Sequence, residues 1–176
     1  METVLKAITG RRSVRRFSAD PVPREVIEKL LEAAVHAPSA GNLQPWEFYV
    51  VLGKGQRIAL AGAALGQTFV AEAPVVIVVC AVPARAAERY GQRGRDLYCI
   101  QDTAAAVQNI LLTASAHGLG TCWVGAFNEE AVRRALDLAE GRRPVAIIPV
   151  GYPQRVPRDP GRRPVAEVAH FLEDKD

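Results

Sequence analysis

The residues that usually announce a catalytic centre are scarce in this chain. Three cysteines, Cys80, Cys99 and Cys122, are spread over 176 residues. None forms a C-x-x-C pair and the odd count gives no disulfide framework, so they read as small core residues. The three histidines, His36, His117 and His170, are widely separated, and without clustered ligands no metal site is expected. Gly118-x-Gly120 does not complete G-x-G-x-x-G. No G-K-[ST] or G-x-S-x-G occurs, and no cysteine–histidine pair can be assigned. The longest apolar run, Pro74 to Val82, is too short to span a membrane. No basic start followed by an apolar run marks a signal peptide, so the expected compartment is the cytoplasm. A net charge of +3 is too mild for a dedicated nucleic-acid binder, which would carry a strongly basic face.

Positive charge is instead concentrated locally. Gly10 to Phe17 holds four arginines, Arg11, Arg12, Arg15 and Arg16, and the Ser13 hydroxyl. A short amphipathic helix, Met1 to Thr9, precedes it, with Val4, Leu5 and Ile8 on one face and Gly10 as a stop. The stretch therefore reads as an ordered loop. Guanidiniums held this close repel unless an anion sits among them, and arginine suits bidentate phosphate recognition. From this stretch alone a phosphate site and a solvated basic patch both remain open.

The remainder reads as one domain over residues 1–176, with 49% hydrophobic and 23% charged residues. Asp20-Pro21-Val22-Pro23 opens a second helix. Val26, Ile27, Leu30, Leu31, Ala34 and Val35 form its buried face, and it ends before Pro38. Ala37 to Trp46 is a turn-rich loop. Glu47 to Leu52 is a strand, Gln56 to Ala64 a small helix, and Gln67 to Ala73 another helical turn. Val75 to Cys80 is a buried central strand. Pro83 to Arg95 reads as a polar surface connection. Leu97 to His117 is a long, central helix with Ile100, Ala104, Val107, Leu111 and Ala114 along one stripe, closed by Gly118. Gly118 to Phe127 is expected as a strand entered and left through glycines. Asn128 caps a helix through Leu138, and Pro144 to Tyr152 is another strand. The tail from Pro153 to Asp176 shows no helical period until its end and should be poorly ordered unless tied down, for example over a partner subunit.

No catalytic acid or base stands out, which fits a protein whose cofactor carries the chemistry. Three stretches then come together. They are Arg11 to Phe17, Pro38-Ser39-Ala40-Gly41-Asn42-Leu43-Gln44-Pro45-Trp46, and Gly118-Leu119-Gly120-Thr121-Cys122-Trp123-Val124-Gly125-Ala126-Phe127. In this order and spacing, with Pro149 to Pro153 and its basic follow-up, the chain resembles the nitroreductase family of FMN-dependent oxidoreductases over nearly its whole length.

The resemblance implies an α+β fold: a mixed β-sheet sandwiched by helices, in an intertwined homodimer with a swapped C-terminal segment and FMN at the interface. It also implies roles for residues. Arg11 and Ser13, with Arg12 beside them, match phosphate and ribityl contacts, and Arg162 matches the C-terminal basic residue closing on the same phosphate. Arg15 matches the cation beside the flavin's N1 and O2 edge. There it would stabilise negative charge on reduced flavin. Pro38, Ser39, Ala40, Asn42 and Gln44 match the loop reaching the cofactor from the other subunit. Trp123, Val124, Gly125 and Ala126 match the strand end beside the isoalloxazine ring, where small residues allow close backbone approach.

The same residues have structural readings. Trp46 suits the core and Asn42 can cap a turn. Arg16 reads as a surface charge, and Asp102 and Asn109 suit helix packing or a helix surface. Family members often place an asparagine and a lysine at the flavin's pyrimidine edge. Here Gln67 is the nearby polar candidate, and Pro83 to Arg95 leaves little room for a helical excursion over the site. The implied activity is hydride transfer from NADH or NADPH through FMN N5 to a small-molecule acceptor such as a nitroaromatic or quinone, in ping-pong alternation. Rival readings are a flavin-binding redox module without turnover, and reductive dehalogenation or flavin breakdown on the same scaffold. A nucleic-acid-binding domain would instead show steeply salt-dependent binding.

Overall fold

Val75–Ala81 and Arg143–Gly151 are the most apolar runs of the chain, and they form the centre of its sheet. The computed structural model describes residues 2–172, with side chains from Val4 onward. Met1 and residues 173–176, at the ends of the expected first helix and tail, lie outside them. The elements in order are α1 (Glu2–Gly10), α2 (Arg24–Val35), β1 (Trp46–Val51), α3 (Lys54–Ala63), α4 (Phe69–Glu72), β2 (Val75–Ala81), α5 (Pro83–Arg93), α6 (Cys99–Ala116), β3 (Gly120–Thr121), α7 (Glu129–Leu136) and β4 (Arg143–Gly151). The strands lie in the order β1-β2-β4-β3. All three pairings are antiparallel. The parallel component of the expected mixed sheet is reduced, among the described residues, to one isolated bridge between Ser13 and Thr121.

Side chains alternate across a pleated strand, and both faces of β2 and β4 are covered. Val75, Ile77, Val79, Ala146, Ile148 and Val150 meet Ile27, Leu30 and Ala34 of α2 and Val107, Ile110 and Leu111 of α6. Val76, Val78, Cys80 and Ile147 meet Leu60, Ala63, Val70 and Val132 of α3, α4 and α7. Helix α6 packs closely on α2 through Ala106 and Ala114, and Asn109 Nδ2 donates to Ala33 O at 2.8 Å.

Burial pushes the Cys80 thiol up to about 12, with the Glu47 carboxylate across the β1–β2 pair adding to it. Glu47 itself is held by Arg142, whose Nε reaches Oε2 at 3.0 Å and whose second guanidinium nitrogen reaches Oε1 at 2.8 Å. Tyr49 donates its hydroxyl to Oε2 at 3.0 Å. The Arg142 hydrogen bond leads in holding the Glu47 carboxyl below its ordinary 4.5. A carboxylate with a depressed folded value contributes stability that is complete above its unfolded value. That contribution is lost as pH falls through the folded one. Thermal melts between about pH 6 and pH 3 should therefore show a shallower acid loss in Glu47→Gln than in the parent.

Four sequence-based expectations are corrected. Pro83 to Arg95 is not a plain connection. Pro83 opens an eleven-residue helix, and residues 94–98 form a π turn leading into α6. Pro83 has a position suited to a helix start, and alanine, arginine and glutamate are strong helix formers. The stretch thus has room for a helix, whose Arg85, Arg89 and Tyr90 lie against the 38–44 loop. The strand expected over 118–127 contracts to Gly120–Thr121, after which only Val124 returns to the sheet, opposite Ile147. Val35, expected on the buried face of α2, is 46% exposed. The long helix begins at Cys99; Val107, Leu111 and Ala114 of the expected stripe are buried, but Ile100 and Ala104 are only half-buried, and Cys99, Asp102, Thr103, Ala106 and Ile110 complete the buried side.

Candidate functional site

The basic stretch is built like an edge strand with its charges turned outward. Val14 and Phe17 are buried at 3% and 6% exposure, while Arg15 and Arg16 between them are exposed. Val14 N–H donates to Thr121 O at 2.8 Å. A Cβ at Gly120 would lie 2.8 Å from the Val14 side chain, so the strand beneath must present a glycine for Ser13 to sit beside Thr121. On the other flank Phe17 faces Pro153, Ser18 N–H donates to Tyr152 O at 2.8 Å, and Gln154 N–H donates to Arg16 O at 3.0 Å. The start of the chain is therefore fastened to β3 and to the tail.

Between these fastenings lies a cleft of about 300 Å³, lined by Arg11, Arg12, Ser13, Arg15, Pro157, Arg158, Pro160 and Arg162. Arg12 meets Asp159 at 2.6 Å, and Arg162 lies 3.8 Å from the same carboxylate. Arg11 has no acidic partner among the described residues. The Arg15 guanidinium stands 5.8 Å from the Phe69 ring centroid. Two residues before Phe69, Gln67 Nε2 donates to Ala64 O at 2.9 Å and to Ala126 O at 3.3 Å. Contacts thus lead from Arg15 at the cleft wall to Phe69, and from Gln67 two residues earlier to the segment after β3.

That segment rejoins the sheet through its backbone at one residue among those described. Val124 exchanges both backbone bonds with Ile147, at 2.9 and 3.0 Å. Gly125 and Ala126 are exposed, and among the described residues their N–H groups meet no acceptor. A Cβ at Gly125 would find only Trp123 Nε1, at 3.9 Å, so this backbone edge is open. Trp123 beside it is 41% exposed.

The loop from Pro38 to Gln44 lies elsewhere. It feeds β1, at the opposite edge of the sheet from β3, about 14 Å away at ordinary strand spacing. Asn42 and Gln44 adopt left-handed backbone, with φ of 56° and 49°. Gln44 Nε2 donates to Asn42 Oδ1 at 3.2 Å, Gln44 N–H to Ser39 Oγ at 3.0 Å, and Arg85 to Gln44 O at 2.8 Å. Trp46, at 6% exposure, belongs to the core. One chain therefore brings together Arg11, Arg12, Ser13, Arg15 and Arg162 and, next to them, Gln67, Val124, Gly125, Ala126 and Trp123. It does not bring Pro38, Ser39, Ala40, Asn42 or Gln44 to the same place.

One cleft residue escaped the sequence reading, and Asp102, read there as suiting helix packing or a helix surface, lies on the packing side. Arg158 lines the cleft from the tail; the arginine-rich tail was its only signal. Asp102 is 7% exposed, and its Oδ1 accepts from Ala40 N–H at 3.1 Å. Its Oδ2 is buried without a partner, and burial raises its pKa. The signal was a carboxylate on the same helical stripe as Cys99 and Ala106. Asn keeps the acceptor for Ala40 and removes the buried charge, whereas Ala strands a backbone donor. Asp102→Ala should lower stability by about 1–3 kcal/mol, while Asp102→Asn at neutral pH should match or exceed the parent. Urea melts of the three proteins check this.

Helices on both faces of a four-stranded sheet, with a basic cleft at one edge, place the chain in the α+β class. Comparison with known proteins supplies the family. The chain belongs to the Nitroreductase family, whose model matches residues 8–72 and 58–152. A protein of Archaeoglobus fulgidus named "Putative NADH dehydrogenase/NAD(P)H nitroreductase" is 38% identical over 158 residues, 88% of this chain and 87% of that one. The structure of nitroreductase A from Vibrio parahaemolyticus is similar at a TM-score of 0.89 and 28% identity, covering 100% of this chain and 78% of that one. The NADPH:FMN oxidoreductase of Vibrio harveyi, solved in complex with NAD+, is similar at a TM-score of 0.88 and 26% identity, covering 99% and 79%. No helix among the described residues is long and apolar enough to cross a membrane.

Proposed function

We propose that this chain binds FMN as a homodimer and moves reducing equivalents from NADH or NADPH to a small acceptor such as a nitroaromatic or quinone. The observation that carries the reading is the arginine cleft that ends at Arg15, with the Gln67–Ala126 contact and the open amide edge of Gly125 and Ala126 on the continuation of β3. FMN has matching parts: a phosphate, a polyol and a planar ring with a polar edge. When bound, it would supply two-electron exchange between the reduced nicotinamide and the acceptor.

The chain's own residues supply the rest. Arg11, Ser13 and Arg162 hold the phosphate, with Arg12 fixing the tail that carries Arg162. Arg15 faces the electron-rich part of the ring and stabilises negative charge there. Gln67 and the N–H groups of Gly125 and Ala126 orient the polar edge. Trp123 and Val124 set the height of that backbone. Pro38, Ser39, Ala40, Asn42 and Gln44, remote within one chain, approach the ring from a second copy.

Exposed apolar surface supports that pairing. Val4, Leu5 and Ile8 of α1 are 64%, 57% and 47% exposed, and Phe171 and Leu172 of the tail are 87% and 94% exposed. Large apolar side chains left open on one helix and on the tail suit association with a second copy, and the tail fits the swapped segment that would use it. All of residues 1–176 then act as one cofactor-binding domain.

The test is a spectrum of the purified protein followed by anaerobic titration with NADH and NADPH. The expected result is a yellow dimer whose colour is bleached by reduced nicotinamide and restored by an acceptor. Colour without bleaching would make the chain a binding module, and a colourless monomer that takes up no FMN would overturn the reading. Dehalogenation or flavin breakdown would show in the products once turnover is established.

A further inference from the structure

The basic stretch and the tail enclose a second cleft beside the first. It holds about 310 Å³ and is lined by Ser13, Arg15, Arg16, Arg155, Pro157 and Arg158. Arg158 stands between the two clefts, whereas Arg16 and Arg155 line the outer one alone. These are not arginines on a free tail. The Gln154 N–H bond to Arg16 O, at 3.0 Å, and the Phe17–Pro153 bridge fix the two backbones side by side.

The charges in this cleft are unbalanced. Arg12, Arg24, Arg133, Arg142 and Arg143 each have a carboxylate partner. Among the described residues the guanidiniums of Arg16, Arg155 and Arg158 have none, and no hydrogen-bond acceptor meets them. Asp159, the nearest acid in sequence, is taken by Arg12 at 2.6 Å. A single FMN phosphate in the inner cleft would be met by Arg11 and Arg162, leaving three guanidiniums unanswered. Like charges pinned together repel unless an anion lies between them. Planar guanidinium forks match phosphate oxygens in geometry as well as charge.

Enzymes of this family use reduced nicotinamide dinucleotides, and NADPH differs from NADH only by a phosphate monoester on its adenosine ribose. We propose that the outer cleft is a second phosphate subsite, which takes the 2′-phosphate of NADPH and makes the protein prefer NADPH over NADH. The inference rests on the flavoenzyme reading for its substrate and on the arginine geometry for its location. Discrimination arises because NADH leaves the three cations unpaired.

FMN-saturated protein should be titrated calorimetrically with adenosine 2′,5′-bisphosphate and with adenosine 5′-monophosphate, and KM measured for both dinucleotides. The bisphosphate should bind at least about tenfold more tightly, and NADPH should show a KM at least about tenfold below that of NADH, the scale of one charge-assisted contact. The double variant Arg16→Ala, Arg155→Ala should bring NADPH to the NADH level while NADH kinetics and FMN content stay unchanged. Arg155→Ala alone, at an exposed position, should move the same way and serves if the double variant folds poorly. Equal use of NADH and NADPH by the parent overturns the proposal, as does loss of FMN from the double variant, which would assign the outer cleft to the FMN clamp. If the parent takes up no FMN the flavoenzyme reading fails. The subsite would still be upheld by bisphosphate-selective binding that the variant loses.

Discussion

Arg11→Ala is expected to weaken FMN binding by about 10- to 100-fold, corresponding to the roughly 1.5–3 kcal/mol of a hydrogen bond to a charged group. Arg11 lines the inner cleft and, unlike Arg12, is not committed to Asp159, so its guanidinium is free for an incoming phosphate. Its removal deletes a ligand contact without unfastening the tail. Arg15→Ala should behave differently. Arg15 stands over Phe69, between the phosphate cleft and the Gly125–Ala126 edge, where its charge bears on the ring. Its loss should leave FMN bound but lower the two-electron reduction potential by about 20–40 mV, or roughly 1–2 kcal/mol. Arg12→Ala should weaken binding indirectly, by releasing the tail. Flavin fluorescence titration and a spectroelectrochemical potential for each variant distinguish the three. If Arg11→Ala and Arg15→Ala lose affinity alike and share one potential, the division of roles is wrong.

Gly94→Ala should be the most damaging single methyl group in the molecule. A Cβ built there falls 2.2 Å from the Ala86 carbonyl oxygen and 3.0 Å from Tyr90 Cβ. The first of these is backbone and cannot swing aside. Gly91, with φ of +53°, reverses the end of α5 so that the π turn at 94–98 doubles back beneath it. The contact at Gly94 closes that reversal. Overpacking at a site without slack should cost about 2–3 kcal/mol, lowering the melting temperature by roughly 5–10 °C for a chain of this size. Gly62→Ala is the natural control. It lies in α3 with no heavy atom within 4 Å of the added Cβ, so the same substitution should stabilise by about 0.5–1 kcal/mol. Calorimetry of both variants should give shifts of opposite sign.

Most of the sheet and its covering helices were legible, because burial on both faces leaves unbroken β-branched runs such as Val75–Val79, and burial on one face leaves helical stripes such as Ile27–Leu30–Ala34. The region after β2 was misread because its helix is polar and rich in arginine, and its reversal depends on a left-handed glycine and a buried one, neither of which alters hydrophobic periodicity. The strand after Gly118 was overestimated because a single contact at Val124 replaces a ladder, and the apolar residues around it do not reveal that. In the candidate site, the arginine cluster could be read locally. The open backbone at Gly125 and the assignment of the 38–44 loop to a second subunit came only through the family resemblance, since the loop's distance from the cleft depends on strand order. Asp102 was underweighted because a lone carboxylate on a helix gives no sign of its depth.

The arginine cleft joins residues 11–18 to residues 152–162, far apart along the chain. The Arg12–Asp159 pair spans 147 positions, and the backbone bonds around Phe17 and Pro153 span nearly as many. Closing so long a loop costs about 2 kcal/mol more entropy than closing one of ten residues, so these contacts form only after the intervening sheet has brought the ends together. The basic stretch stays incomplete until residues 152–162 are docked beside it. Ligand-binding competence therefore waits on that docking, and anion binding during refolding should lag behind the appearance of the sheet.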